Sequence, residues 1–247
     1  MKTALVFGGT RFFGKNLVET LLDKGVQVTI ATRQQSQDPF GDRVERIKVD
    51  RFDEASMKEA VVGRSWDVVF DQLCYTSHDA QISTRVLEGK IKKYVFTSSG
   101  AVYDFGVDLP EQAFDPYTYH LEMVEQGEVS YGEGKRLAEA YFFQKAPFPV
   151  VALRIPVVLG EEDYTERLLY YVKRIKEGKP VYFSNPEQKL RFIHQKEAGD
   201  FLAWVAETPY EGPINACAEG PITMKELMEM IGTVVGKEPI ITTEDSF

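Results

Sequence analysis

The chain is predicted to fold as a doubly wound α/β structure around a parallel sheet, with a smaller lobe toward the C-terminus. Three observations carry this expectation. Short β-branched runs alternate with longer amphipathic stretches, a glycine-rich turn joins the first run to the first amphipathic stretch, and the alternation loosens after Arg154. Right-handed crossovers between parallel strands place helices on both faces of such a sheet. With 247 residues and a hydrophobic fraction of 43%, there is enough material for one large domain plus an appended lobe. We expect the main domain over residues 1–155 and the lobe over 156–247, interleaved with the end of the main sheet.

The strands are expected at "TALVF" (3–7), "VQVTIA" (26–31), "RIKVD" (46–50), "DVVFD" (67–71), "KYVFTS" (93–98) and "PVVALR" (149–154). Between them the apolar spacing predicts helices at Phe12–Lys24, Glu54–Val62, His78–Glu88 and Glu133–Lys145. Asp53 is the stronger cap candidate for the second of these. Further on, "YTERLLYYVKRIKEG" (164–178) and "TMKELMEMIGTVVG" (223–236) read as amphipathic helices, and "KPVYFS" and "PINAC" as short strands. Membrane-surface binding is a second meaning for the first of these helices, but a solvated face over a core side is the simpler one. The sequence stops at "ITTEDSF" without an obvious closing element, which suggests a lobe that is not complete.

Charge and composition exclude several functions. A formal net charge of −9 and an isoelectric point near 5.0 give no general attraction to nucleic acid or anionic membrane. No segment reaches the roughly 20 apolar residues of a membrane helix, and the run from Ala4 to Phe7 is too short for a signal-peptide core. Cys74 and Cys217 are far apart, and His78, His120 and His194 are dispersed, so neither a disulfide framework nor a metal site is expected. The simplest setting is the reducing cytoplasm.

The glycine turn is the first functional signal. A turn of this kind at a helix N-terminus presents unpaired N–H groups and the positive end of the helix dipole, an arrangement that suits the pyrophosphate of a dinucleotide. Gly8 and Gly9 let the backbone come close, and Gly14 lets the helix pack on its strand. The second strand ends in Thr32 and Arg33, where an NAD site would carry an acid for the ribose 2′-hydroxyl. Arg11 and Arg33 follow strands expected to be neighbours and could meet on one 2′-phosphate, so NADP is preferred and NAD stays open. Two solvated arginines at loop ends are the bland alternative. Asp50, at the end of the third strand, is placed to reach an adenine or to cap the next helix.

The second signal is catalytic. "YVFTSSGAVY" leads a strand into Thr97, Ser98 and Ser99, and "SYGEGKRLAEAYFF" holds Tyr131 and Lys135 on one helix face at i and i+4. A lysine there can lower the phenol's pKa from about 10 toward that of a useful base, while a serine hydroxyl binds the substrate oxygen. Tyr141 and Lys145 have the same spacing, but Tyr141 lies on an apolar face and reads as core. His120 and Glu122 are weaker substrate-side candidates. His194 reads as structural near a helix start, and Arg154 either faces the crevice or forms an ion pair.

The glycine turn, "VDRFD", "FTSSGAVY", the Y-x-x-x-K pair and "RFIHQKEAGDFLAW" occur in the order found in the extended short-chain dehydrogenase/reductases, the NAD-dependent epimerase/dehydratase family. The chain resembles that family over nearly its whole length. The resemblance implies a Rossmann-type fold, Ser99 as catalytic serine, Tyr131 as base and Lys135 as the lysine that also holds the nicotinamide ribose. It extends the cofactor contacts to Thr10, Phe12, Phe13, Arg51, Leu73 and Thr97, and it implies a homodimer built on the helices near His78–Glu88 and Glu133–Lys145. Arg11 stands where the family has the middle glycine of its turn, as in NADPH-using relatives. Leu190 takes the place of the arginine that holds a nucleotide-sugar diphosphate in "R-D-Y-I-H", and Arg191 lies one residue along, which puts such a substrate in doubt. "GGTRFFG", "VTIATR" and "EGKPVYFSNPEQ" resemble a subgroup that includes chloroplast stem-loop RNA-binding proteins. The expected function is an NAD(P)-dependent oxidoreductase or epimerase acting on a small polar or sugar-like hydroxyl or carbonyl compound. A non-catalytic cofactor-binding protein associated with RNA is the alternative.

Overall fold

The structure is a computed structural model that describes residues 1–33, 38–104, 106 and 108–244. Its first part runs β1 (Thr3–Phe7), α1 (Phe12–Asp23), β2 (Gln27–Thr32), β3 (Glu45–Lys48), α2 (Glu54–Ala60), β4 (Trp66–Asp71), α3 (Ser77–Leu87), β5 (Ile91–Ser99), α4 (Tyr131–Lys145) and β6 (Val150–Ile155). These strands form in near-continuous apolar runs because both faces of the sheet are covered; β6 is buried at every position. Asp53 caps α2 by accepting from the Ala55 amide, and Ser130 caps α4, which starts at Tyr131 rather than at Glu133.

The remainder runs β7 (Val157–Leu159), α5 (Arg167–Glu177), β8 (Val181–Tyr182), β9 (Lys189–Leu190), β10 (Phe192–His194), α6 (Gln195–Glu207), β11 (Gly212–Asn215), β12 (Ile222–Thr223), α7 (Met224–Val235) and β13 (Ile241–Thr242). One seven-stranded sheet has the order β11-β6-β5-β4-β1-β2-β3, and every pairing in it is parallel. The order reverses between β1 and β4, so a crevice opens beyond the carboxyl ends of those strands.

One apolar cluster gathers Leu17, Val18 and Leu21 of α1 with Leu202 and Val205 of α6 under the sheet. The opposite cluster holds Met57, Ile82, Phe142 and Tyr141 from the other helices, which makes Tyr141 core. The two helices of the first layer meet closely: a Cβ on Gly199 would lie 2.6 Å from the Leu17 amide nitrogen. A third cluster, with Ile175, Val181, Met228 and Ile231, belongs to the lobe around α5 and α7. After β10 the chain leaves that lobe, returns to the main layers through α6 and β11, and re-enters the lobe at β12.

Between β5 and α4, residues 110–126 form a strap over α3 and α4. The Ser77 hydroxyl donates to the Glu122 carbonyl and the His78 amide to Val124. The Gln144 amide donates to the carbonyls of Pro116 and Tyr119, and the Tyr119 hydroxyl bonds Glu133. The strap is thus tied to the two helices on which the family resemblance places a dimer interface, at the start of α3 and near both ends of α4.

Candidate active site

The crevice encloses about 930 Å³ and is lined by the loops that follow β1 through β6. At its floor lies the glycine turn. Gly8 takes a φ of 82°, which a side chain would resist, and a Cβ on Gly14 would lie 2.1 Å from the Gly8 carbonyl oxygen. Gly9 packs against Val18 and Val6. Gly9 and Gly14 thus lie behind the turn and let it pack closely. Gly8, Thr10, Phe12 and Phe13 do line it. Phe12 adopts a left-handed φ of 50°, a strained conformation for an aromatic residue at a helix start.

Arg11 and Arg33 both reach the crevice and are exposed, with Arg11 6.0 Å from the centre of the Tyr164 ring. Asp50 also lines it and accepts a hydrogen bond from the Phe52 amide. Arg51 differs from expectation. Its guanidinium turns inward to Asp71 at 2.6 Å and to the Asp79 carbonyl, so only the outer part of the residue borders the crevice. Tyr94 joins this buried network through a 2.5 Å hydrogen bond to Asp71. A desolvated arginine kept beside its carboxylate holds the β3 and β4 ends together and is not available for an adenine.

At the other end, Ser99, Tyr131 and Lys135 come together. Ser99 closes β5, accepts from the Ala101 amide, and lines the crevice together with Tyr131. Helix α4 can bring Tyr131 and Lys135 this far because its first turn is glycine-rich. A Cβ on Gly132 would lie 2.6 Å from the Ala101 carbonyl oxygen, and one on Gly134 2.6 Å from that of Tyr75. Tyr131 keeps 55% of its surface open, whereas Lys135 keeps 2%. The Lys135 ammonium donates to the carbonyls of Cys74 and Thr97 at 2.6 and 2.9 Å and lies 4.7 and 4.8 Å from the centres of the Tyr75 and Phe96 rings. Among the described residues no carboxylate pairs with it, so burial lowers its pKa from 10.5 to about 8.

The phenol is not tuned as the spacing suggested. The walls of the crevice push the Tyr131 pKa above the usual value, and what opposes this is the Ser99 hydroxyl and the positive charge of Arg167. Lys135 lies 5.7 Å from the centre of the Tyr131 ring, on the protein side. Leu73 and Thr97 also line the crevice, as expected. The polar and aromatic lining residues that the sequence did not single out are Phe52, Gln72, Tyr75, Gln126, Tyr164, Thr165 and Arg167. In sequence Arg167 is one of several charges on a solvated helix face, and nothing local signals that it borders the crevice.

Other candidates fall outside. Arg154 is buried and ion-paired with Glu139 at 2.6 Å, with further bonds to Tyr103 and to the Glu111 and Phe114 carbonyls. His194 caps α6 through a hydrogen bond from the Lys196 amide. His120 and Glu122 are exposed and do not line the crevice. Leu190 packs in the third cluster, and Arg191 bonds Asp108 and the Ala218 carbonyl.

The donor set fits a dinucleotide. Besides the close-packed glycine turn, two buried polar atoms on the crevice wall, Gln72 Nε2 and Thr97 Oγ1, lack a hydrogen-bond partner among the described residues. Buried polar groups are nearly always paired, so these two point to an occupant.

A curated relative, the chloroplast stem-loop binding protein of 41 kDa b from Arabidopsis thaliana, is 27% identical over 202 residues, which is 74% of this chain and 49% of the relative. The chain thus spans about half the length of that relative. Among solved structures, the UDP-glucose 4-epimerase of Thermus thermophilus in complex with NAD matches with a TM-score of 0.69 at 20% identity, covering 97% of this chain and 85% of the other. The UDP-N-acetylglucosamine 4-epimerase of Methanobrevibacter ruminantium, in complex with UDP-N-acetylmuramic acid, matches with a TM-score of 0.73 at 24% identity, covering 99% and 86%. These likenesses are in fold. The sequence profile described as the NAD dependent epimerase/dehydratase family matches residues 4–217, and the chain belongs to that family.

Proposed function

We propose that the chain is a nicotinamide-dinucleotide-dependent enzyme that acts at a hydroxyl or carbonyl carbon of a small polar, sugar-like compound, as an epimerase or an oxidoreductase. The observation that carries this reading is that Ser99, Tyr131 and the buried Lys135 line one crevice whose floor is the glycine turn. When bound, the nicotinamide supplies the site that takes up or gives the hydride. Tyr131 exchanges the proton of the reacting hydroxyl, and Ser99 holds the reacting oxygen. Lys135, already anchored to two carbonyls, has a third N–H for a ribose hydroxyl.

NADP is the proposed form of the dinucleotide. Arg11 and Arg33 stand at the adenosine end, and Asp50 is the one acid among the described residues that line the crevice. The NAD held by the Thermus thermophilus epimerase keeps NAD as the other possibility. A fluorescence titration with NADPH and NADH, run on wild type, Arg11→Ala, Arg33→Ala and Tyr131→Phe, tests the reading. NADPH should bind more tightly, and both arginine variants should lose that preference. Tyr131→Phe should keep its affinity for the dinucleotide while turnover of an accepted substrate falls about 10²- to 10⁴-fold. Binding of neither dinucleotide sinks the proposal.

A second reading comes from the name of the curated relative, a stem-loop binding protein. Retention of structured RNA on nitrocellulose at physiological salt, lost as salt rises, would favour it. The net charge of −9 opposes it.

A further inference from the structure

The crevice has two ends with different charge. At the adenosine end Arg11 and Arg33 face outward. At the catalytic end the cations are Lys135, which is buried against carbonyls, and Arg167, the first residue of α5. Arg51 is neutralised by Asp71. Arg167 is different: its side chain is 53% exposed and its nearest carboxylate, Asp163, stands 3.7 Å from Nη1, beyond hydrogen-bond reach. Asp163 meanwhile bonds the Thr165 amide and hydroxyl and the Arg167 amide, so it shapes the loop that presents Arg167. The charge of Arg167 is also felt by the Tyr131 phenol.

We propose that Arg167 forms an oxyanion subsite beside Tyr131, and that the substrate is a small hydroxy or oxo compound carrying one carboxylate or phosphate monoester near its reacting carbon. This inference rests on the reading of Tyr131 as the proton-transferring residue. A guanidinium with free parallel N–H groups matches either oxyanion bidentately. A single such cation suits a single anionic group. Of the other arginines of the lobe, Arg191 is engaged by Asp108 and the Ala218 carbonyl, and Arg174 by the Pro180 carbonyl. Thr165 and Gln126 add neutral polar groups to the crevice and Val157 an apolar wall, while Tyr164 stands toward Arg11. The ligand thus made welcome is polar, anionic at one end and small.

The test is calorimetric titration of the protein, saturated with NADPH, with three probes: glucuronate, glucose 6-phosphate and glucose. Saturation blocks the adenosine-end arginines, so an anion has only the catalytic end to bind. Wild type should prefer one or both anions to glucose; which anion binds separates carboxylate from phosphate. Arg167→Gln should weaken that anion roughly 10- to 100-fold without altering NADPH affinity, since a hydrogen-bonded charge is lost. Arg167→Lys should recover part of the loss. Wild type that does not distinguish the anions from glucose, or Arg167→Gln that binds them as wild type does, overturns the subsite. If the protein fails to take up NADPH, the dinucleotide reading falls first. The same probes on the free protein then still decide the role of Arg167, because only its substitution separates that end from Arg11 and Arg33.

Discussion

Lys135 is the residue at which the physics of the site is most exposed to measurement. An ammonium enclosed by carbonyl dipoles and ring faces, with no carboxylate in ion-pair reach among the described residues, is held at a cost that its two hydrogen bonds and the more distant Asp71, Asp79 and Glu139 only partly offset. In the unfolded chain the lysine keeps its proton up to about 10.5; in the folded chain it releases it near 8. Between those values the unfolded state binds more protons, so stability rises with pH. The gain is on the order of 3 kcal/mol at 1.36 kcal/mol per unit. It is absent below about pH 8 and complete near pH 10.5. Urea unfolding of wild type and Lys135→Met across that window measures it: the wild type should gain relative to the variant, whatever the variant loses at all pH values. Parallel curves would show that the lysine keeps its proton in the folded state. Two residues at this site were legible in sequence because the helical spacing of Tyr131 and Lys135 is local. Arg167 was not, because its place in the crevice depends on the loop between β7 and α5, which carries no local signal.

At the level of elements, the long strands and helices follow the sequence closely. β1 spans the expected residues, and Asp53 caps α2 as its side chain allows. The first turn of α4 was missed because Ser130, Tyr131 and Gly132 have no apolar period; the start is set by the Ser130 cap and by the carbonyls of Ala101 and Tyr75 that the glycines admit. β9, β12 and β13 are two residues each, too short for any alternation to show in the sequence, whereas β8 falls within the expected "KPVYFS". The return of α6 to the main layers rests on a helix–helix approach that only glycine permits. Gly199→Ala would put a methyl 2.6 Å from the Leu17 amide nitrogen and 2.8 Å from the Asn16 Cβ. We expect it to cost about 1–3 kcal/mol, as overpacking does, and to lower the urea midpoint with an unchanged slope. No shift would mean that α1 and α6 slide apart without loss.

On the scale of the whole molecule, the strap over residues 110–126 matters most. It is hydrogen-bonded to the first residues of α3 and near both ends of α4, the helices on which the family resemblance places a partner. We expect the protein to sediment as a monomer of 28.0 kDa. A dimer in velocity sedimentation would show that another face associates or that the strap opens.

The strap also lies on the stretch of chain that runs from Ser99 to Tyr131, so the two hydroxyl groups of the candidate active site are linked through it. Where a second chain braces a catalytic helix, its ordering follows the law of mass action and fades on dilution. Here the brace is tethered to what it braces, at an effective concentration fixed by chain length. Specific activity should therefore be independent of protein concentration, down to dilutions at which a two-chain site would fall apart.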